Sequence, residues 1–186
     1  SSHLKEYFNQ VDKSVQELWG EHKMPLVIVG DAKNIGYYKE VCDRPDNIIA
    51  TVSNATNLED GSAQHIVDSV QEAVEEYRTS LHHAALGEID KARGANMLQT
   101  DLQEVYRSAF QGAGETLYVR RGYIQSAKID EKAQTLSLAS DASAEGVTDD
   151  AIGEIIEHVI HNGGEAVFMP QDIMGEDQPI ALVTRY

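Results

Sequence analysis

The chain has 186 residues, of which 31 are Asp or Glu and 15 are Lys or Arg, so its formal net charge is -16. A field of that sign repels phosphates, which argues against broad contact with RNA, DNA or an anionic membrane. The lone cysteine, Cys42, cannot form an internal disulfide, and no apolar run approaches the roughly 20 residues of a membrane span, so we expect a soluble, cytoplasmic protein.

The first half of the chain predicts helices and strands in alternation. Apolar residues recur at helical spacing in some segments and form short continuous runs in others. The expected elements are a helix over 4–19, a strand over 25–31, a short helix over 33–42, a strand over 47–52 and a long helix over 63–86. The apolar run of the first strand predicts a central strand that is buried on both faces.

The second half begins with a helix and ends with strands. The expected elements are a helix over 99–111, a strand over 115–121, a hairpin of 124–129 with 135–138, a loop over 140–147, a helix capped by Thr148, and strands over 165–169 and 180–184. This order predicts a single α/β domain over 1–186, folded as a three-layer α/β/α sandwich around a mixed, mostly parallel sheet.

None of the short motifs indicates a catalytic or metal site. His158 and His161 do not form the HExxH pattern and lack a third ligand, so we interpret them as solvated side chains near a helix end. Residues 30–36 follow a strand but lack the Gly-Lys-Ser/Thr of a phosphate-binding loop. Cys42 is interpreted as a packed or half-buried residue rather than a nucleophile. The sequence therefore predicts no catalytic residue, no metal and no cofactor.

Five polar residues follow strands at positions where ligands bind in open α/β sheets. Asp31 and Asn34 come directly after the first strand, and Arg120, Arg121 and Arg185 come at the ends of later strands. The carboxyl ends of parallel strands meet at one edge of a sheet, and ligands bind outside that edge. If those strands are parallel neighbours, the five residues would form a ligand-binding crevice. Ordinary surface ion pairing is the alternative interpretation.

Two segments of the chain resemble one protein family. The first comprises residues 25–31 and 35–38, and the second is the closing run 161–170 with 180–186. With the long middle helices and the strand at 116–119, their order resembles the C-terminal region of the bacterial proteins related to archaeo-eukaryotic release factors. The resemblance spans most of the chain.

That resemblance implies a sandwich like the third domain of the eukaryotic release factor and of Pelota, at the C-terminal end of a longer protein. It implies a role in translation termination or ribosome rescue, with any peptidyl-tRNA hydrolysis in a preceding domain. This chain would then be a non-catalytic interaction domain. Its acidity differs from the basic surfaces of RNA-binding domains of this fold, which favours a protein partner, such as a ribosomal protein or a translational GTPase.

A glycine pair near the end of the chain could be mistaken for the release motif of that family. Gly163-Gly164 is followed by Glu165, so the glutamine of Gly-Gly-Gln is absent. The pair also falls between a predicted helix and a predicted strand. We therefore predict a turn there.

Two other functions remain open from the sequence. One is a small-molecule or phosphate-binding enzyme domain that uses the arginine-lined crevice. The other is an oligomeric scaffold, in which the first amphipathic helix packs on another subunit.

Overall fold

The computed structural model describes residues 2–20, 24–53 and 62–186. The chain divides into two compact units, which we call unit 1 (residues 1–81) and unit 2 (residues 82–186). None of the described helices is long and apolar enough to cross a bilayer. The prediction of one domain at the C-terminal end of a longer protein stays a prediction.

Unit 1 contains a small parallel sheet and its helices. Its elements are α1 (Ser2–Trp19), β1 (Leu26–Gly30), α2 (Ala32–Val41), a 3-10 turn (Pro45–Asn47), β2 (Ile48–Ser53) and the first part of α3 (Ser62–Gly94). β1 and β2 pair in parallel because α2 carries the chain back between them.

The expectation that β1 is buried on both faces is wrong. Its residues are half-buried, and Val29 is 43% exposed. Within the described residues β1 pairs only with β2, so one edge of this strand lacks a hydrogen-bonded neighbour. The continuous apolar run correctly predicts a strand, but the burial of its side chains is lower than that run indicates.

Unit 2 contains the remaining strands and two shorter helices. Its elements after α3 are β3 (Leu98–Gln99), α4 (Leu102–Phe110), β4 (Gly114–Arg120), β5 (Ala127–Asp130), β6 (Thr135–Leu138), β7 (Val147–Thr148), α5 (Ala151–His161), β8 (Glu165–Met169) and β9 (Ile180–Thr184). The predicted hairpin is confirmed, since β5 and β6 pair in antiparallel register.

The strands of unit 2 form two sheets. One has the order β3-β9-β4-β8, and the other has the order β6-β5-β7. Only β4 and β8 are parallel neighbours in this unit; the other described pairs are antiparallel. The mixed α/β class is confirmed, but the mostly parallel sheet is not. The link 170–179 contains no helix, and without a crossover β9 returns antiparallel to its neighbours.

The four-stranded sheet of unit 2 packs apolar side chains on both faces. Side chains alternate between the faces of a strand, so Leu117 and Val119 of β4 point away from Tyr118. The first two pack among residues of α4 and α5, including Val105 and Ile155. On the other face, Tyr118 belongs to a second cluster, with Ala85, Ile89, Met169, Met174 and Ala181.

The start of α5 differs from the expectation. Asp150 is the N-cap, and its carboxylate accepts the backbone N–H of Gly153 at 3.0 Å. The prediction that Thr148 caps this helix is wrong, because Val147 and Thr148 pair with β5 as the short strand β7. The same pairing shortens the predicted loop, whose last residue, Val147, belongs to that strand.

Candidate functional site

Asp31 and Asn34 lie at the N-terminus of α2 in unit 1. The Asp31 carboxylate accepts the backbone N–H of Lys33 at 3.0 Å and that of Asn34 at 2.9 Å. The side-chain amide of Asn34 donates to the other carboxylate oxygen. Asp31 is therefore an N-cap, and both of its oxygens already accept hydrogen bonds from α2.

Arg120 and Arg121 lie at the C-terminal end of β4 in unit 2. The Arg120 side chain is 17% exposed, and its Nη2 is 3.4 Å from a carboxylate oxygen of Glu176. Its Nε is buried and has no hydrogen-bond partner among the described residues. Arg121 is exposed, and its carbonyl accepts the side-chain N–H of Gln171 at 3.0 Å. The Glu176 carboxylate therefore partly offsets the two guanidinium charges at this end of the sheet.

Arg185 lies at the opposite end of the same strand pair. Its guanidinium donates to the carbonyl of Gly112 at 3.2 Å and to that of Asn162 at 3.0 Å. The antiparallel register places the end of β9 beside the start of β4, whereas Arg120 ends β4. A seven-residue strand spans about 20 Å, so Arg185 is far from Arg120.

The five predicted crevice residues belong to both units, and those of unit 2 lie at two ends of β4. Arg120 and Arg121 are neighbours, and Asp31 and Asn34 are neighbours in the other unit, whereas Arg185 lies at the far end of β4. A crevice that gathers all five stays a prediction.

Unit 1 has an apolar cleft of about 270 Å³. It lies over β1, between α1 and α2. Its lining comprises Phe8, Val11, Val15, Leu26, Val27, Ile28, Val29, Gly30, Asn34, Ile35 and Tyr38. Three of these come from the apolar stripe of α1, as the helical spacing predicted.

Asp12 is fully buried among the residues that join α1 to α2. Its carboxylate accepts the Tyr38 hydroxyl at 2.7 Å and the backbone N–H of Asp43 at 3.0 Å. Burial by itself raises the pKa of Asp12, but hydrogen bonds from Asp43, Tyr38, Cys42 and Gln16 together lower the pKa below its usual value. The sequence analysis missed this residue, because a single Asp on a helix has the pattern of a surface charge.

The thiol of Cys42 lies beside that carboxylate. Burial raises the pKa of Cys42, and the charge of Asp12 raises it further. The thiol therefore stays protonated near neutral pH and is a poor nucleophile. The expectation of a half-buried, unreactive residue agrees with its partial exposure.

Unit 2 has a polar pocket of about 540 Å³ that the sequence analysis also missed. We call it the acidic pocket. Its lining comprises Tyr106, Ile129, Glu131, Gly146, Val147, Thr148, Asp149 and Glu154. Glu131 follows β5, whereas Asp149 and Glu154 lie around the start of α5, so no local motif could have indicated the pocket.

The histidines of α5 have different surroundings. His161 is exposed, as expected. His158 is half-buried, and its ring lies edge-on to Phe110 and Tyr106, with centroid distances of 5.1 and 5.8 Å. The expectation of a solvated His158 is therefore wrong. No three His, Cys, Asp or Glu side chains converge on a metal-sized site within the described ranges.

The glycine pair forms the turn between α5 and β8, as predicted. Gly163 has a φ of +78°, a conformation that favours glycine. A Cβ on Gly164 would lie 2.8 Å from a methyl carbon of Val159 and 2.9 Å from the carbonyl oxygen of Gly114. Both glycines are required by backbone geometry, which accounts for them without a release motif.

The sequence matches the family described as bacterial archaeo-eukaryotic release factor family 3 over residues 1–113. The chain belongs to this family. The resemblance drawn from the residues is confirmed, and the match includes all of unit 1 with α3, β3 and α4. A comparison with curated proteins found no match to this sequence.

Two solved structures show the same fold. Archaeal Pelota, from a ribosome-bound assembly with ABCE1, is 17% identical with a TM-score of 0.62, over 97% of this chain and 49% of its own. Dom34 of S. cerevisiae is 13% identical with a TM-score of 0.61, over 100% of this chain and 54% of its own. This family member therefore spans about half the length of each.

Proposed function

We propose that this chain is the interaction part of a factor for translation termination or ribosome rescue, and that it contributes no catalytic residue. Family membership over residues 1–113 carries the proposal. The fold it shares with ribosome-bound Pelota supports it. So does the fold of Dom34, which is described as a translation termination-like factor that interacts with Hbs1.

Charge favours a protein as the partner. With a net charge of -16, the chain repels the RNA backbone, whereas basic protein surfaces are complementary to it. A ribosomal protein or a translational GTPase is the partner we propose. Nucleic acid would then be contacted mainly by other parts of the complex.

The whole protein would have a further domain in front of this chain, since the chain spans only about half of the Pelota and Dom34 chains. Any peptidyl-tRNA hydrolysis would reside in that preceding domain. Within unit 2, clusters on both faces of the four-stranded sheet support an α/β/α sandwich. The factor would act in the cytoplasm, where ribosomes are.

The test is co-sedimentation of the full-length protein and of this chain with ribosomes through a sucrose cushion. We expect the full-length protein to pellet at low salt and to be partly released as salt rises, because screening weakens charged contacts. Pelleting of the chain alone would place the contact within residues 1–186. If neither pellets at low salt, the translation role is overturned.

Arg120 favours a second function, the binding of a small phosphate-containing ligand. Its Nε is buried and has no hydrogen-bond partner among the described residues, while its Nη2 lies 3.4 Å from a carboxylate oxygen of Glu176. We expect an Arg120→Met chain to lose any shifts that inorganic phosphate causes in the ¹⁵N NMR spectrum. Arg185→Met is the matched control, because that guanidinium already donates to two carbonyls. Equal shifts in both variants would rule this function out.

A further inference from the structure

The acidic pocket lies where the three-stranded sheet of unit 2 meets α4 and α5. Ile129 and Glu131 come from the β5–β6 hairpin, Gly146 precedes β7, and Val147 and Thr148 form β7. Tyr106 belongs to α4, Asp149 to the link between β7 and α5, and Glu154 to α5. The strand pairings fix two of its walls. Its volume of about 540 Å³ is within the usual range for ligand sites.

The three acidic residues of this pocket form no ion pair within the described residues. The Lys128 side chain passes close to the lining residue Gly146, since its Cε would lie 3.8 Å from a Cβ there. Glu131, Asp149 and Glu154 contribute three carboxylates. In the part of the chain that the structure describes, the ion pairs involve other acidic residues: Glu40, Glu75, Glu88, Asp90 and Glu176. A pocket that gathers three unpaired negative charges attracts a cation.

Tyr106 gives an independent indication of a ligand. The residue is 0% exposed, and its hydroxyl is buried without a hydrogen-bond partner among the described residues. Such a group costs free energy unless something outside the chain bonds to it. Burial raises the pKa of Tyr106, and the charges of Glu131, Glu154 and Asp130 raise it further. Tyr106 lines the same pocket as Glu131 and Glu154.

The walls restrict the kind of cation. Ile129 and Val147 line the pocket with aliphatic carbon, which suits the methylene stem of a long basic side chain. An arginine or lysine head can donate to several carboxylates and to the phenol oxygen at once. A bare metal ion is a poor match, because no three ligating side chains converge on a metal-sized site within the described residues.

We propose that the acidic pocket of unit 2 binds an arginine or lysine side chain of the protein partner. The proposal rests on the interaction function proposed above and adds the chemistry of the contact. A partner segment with an exposed basic side chain would place its stem on Ile129 and Val147. Its head would meet the three carboxylates and the Tyr106 hydroxyl.

The first test titrates the whole 186-residue chain with the blocked peptide Ala-Ala-Arg-Ala-Ala and follows amide shifts by ¹⁵N NMR. The peptide with citrulline in place of arginine is the neutral control, and spermidine tests whether a free polyamine suffices. We expect the arginine peptide to shift the amides of Ile129, Gly146, Val147 and Thr148. Equal shifts from the citrulline peptide, or stronger binding of spermidine, would overturn the proposal.

The second test removes charge from the pocket. Glu154→Gln is expected to lower the affinity for the arginine peptide about threefold, because a single exposed ion pair contributes modestly. The double variant Glu131→Gln/Glu154→Gln is expected to lower that affinity about tenfold. Glu115→Gln is the control, because it changes the net charge as much as Glu154→Gln does. Glu115 lies on β4 outside the pocket, so this substitution should leave the affinity unchanged. Equal losses in Glu115→Gln would show that only the overall charge attracts the peptide.

Tyr106→Phe separates a ligand-binding role from a structural one. Because the hydroxyl has no partner in the described chain, its removal should leave the urea midpoint unchanged or raise it. The affinity for the arginine peptide should still fall about threefold. Unchanged affinity would show that the hydroxyl does not face a ligand.

Ribosome co-sedimentation of the full-length protein with Glu131→Gln and Glu154→Gln then separates the two proposals. Reduced pelleting supports both. Pelleting equal to the unsubstituted protein, together with no arginine-dependent shifts, refutes the acidic pocket and leaves the translation role intact. If the unsubstituted protein does not pellet, the translation role fails, and the peptide titration alone decides whether the pocket binds basic side chains.

Discussion

Units 1 and 2 are both built from helices and short strands, but different interactions stabilise them. Unit 2 excludes water from apolar side chains on both faces of a four-stranded sheet, and Leu117, Ile155 and Leu182 are fully buried. Unit 1 leaves its strands half-buried beside an open apolar cleft. Among the described residues of unit 1, Asp12 is the most deeply buried.

This difference shows that an apolar pattern does not measure how well a strand is covered. The run that forms β1 is as apolar as that of β9, yet β1 is half-buried and β9 almost entirely buried. Burial of apolar area stabilises a unit over a wide pH range, whereas a buried carboxylate does so only while it is ionised. The two units should therefore respond differently to substitution and to acid.

The largest expected effect is in the core of unit 2. Leu117→Ala removes a fully buried side chain and should lower the free energy of unfolding by about 4 kcal/mol. Leu18→Ala, at a residue that is 86% exposed in α1, should change it by less than about 0.5 kcal/mol. Urea unfolding followed by circular dichroism measures both. Similar effects would contradict the burial of Leu117 in the core of unit 2.

Asp12→Ala tests the hydrogen bonds of the buried carboxylate in unit 1. Loss of the carboxylate leaves the Tyr38 hydroxyl and the Asp43 N–H without their acceptor, which should cost about 3 kcal/mol. Amide hydrogen exchange should show the loss of protection in α1 and α2 while β4 stays protected. An equal loss in both units would mean that they unfold as one.

Gly164→Ala tests the turn that closes unit 2 between α5 and β8. The new methyl group would press against Val159 and the backbone of Gly114, and the expected cost is about 2 kcal/mol. Gly87→Ala is the control, because a Cβ there meets no atom within 4 Å and alanine favours the helix α3. Thermal melts of the two variants should shift in opposite directions.

Asp31 should contribute less, as the N-cap of α2. Asp31→Ala should cost about 1 kcal/mol, whereas Asp31→Ser should cost little because serine also caps helices. Urea midpoints of the two variants measure this difference. If Asp31→Ser were as destabilised as Asp31→Ala, the carboxylate charge rather than the cap would be the important feature.

The smallest expected effect is the pH dependence of unit 1, which is absent near neutral pH and develops only in acid. The pKa of Asp12 in the folded chain lies below its usual value of 3.8. Its contribution to stability is therefore complete above the unfolded pKa and is lost as the pH falls through the folded one. In NMR spectra recorded from neutral to acid pH, α1 and α2 should lose native signals before β4 does. Asp12→Asn should weaken that pH dependence.

Most helices and strands could be predicted from local patterns. The strands over 165–169 and 180–184 were predicted with the bounds that the structure shows, because short apolar runs between turn residues define them. The short strands β3 and β7 could not be predicted, since two residues carry no periodicity. For the predicted crevice, local patterns indicate where the strands end but not which way they run, and the antiparallel pairing of β9 with β4 places Arg185 away from Arg120.

The sequence by itself determined the class of elements, their order, the acidity of the chain and its resemblance to the release-factor family. These depend on local spacing, composition and short segments, which can be seen along the chain. Only the tertiary structure decided that β9 runs antiparallel between β3 and β4, that Asp12 is buried, and that Glu131, Asp149 and Glu154 line one pocket with Tyr106. The physical reason is that strand direction and burial depend on contacts between residues distant in sequence, and no local pattern contains them.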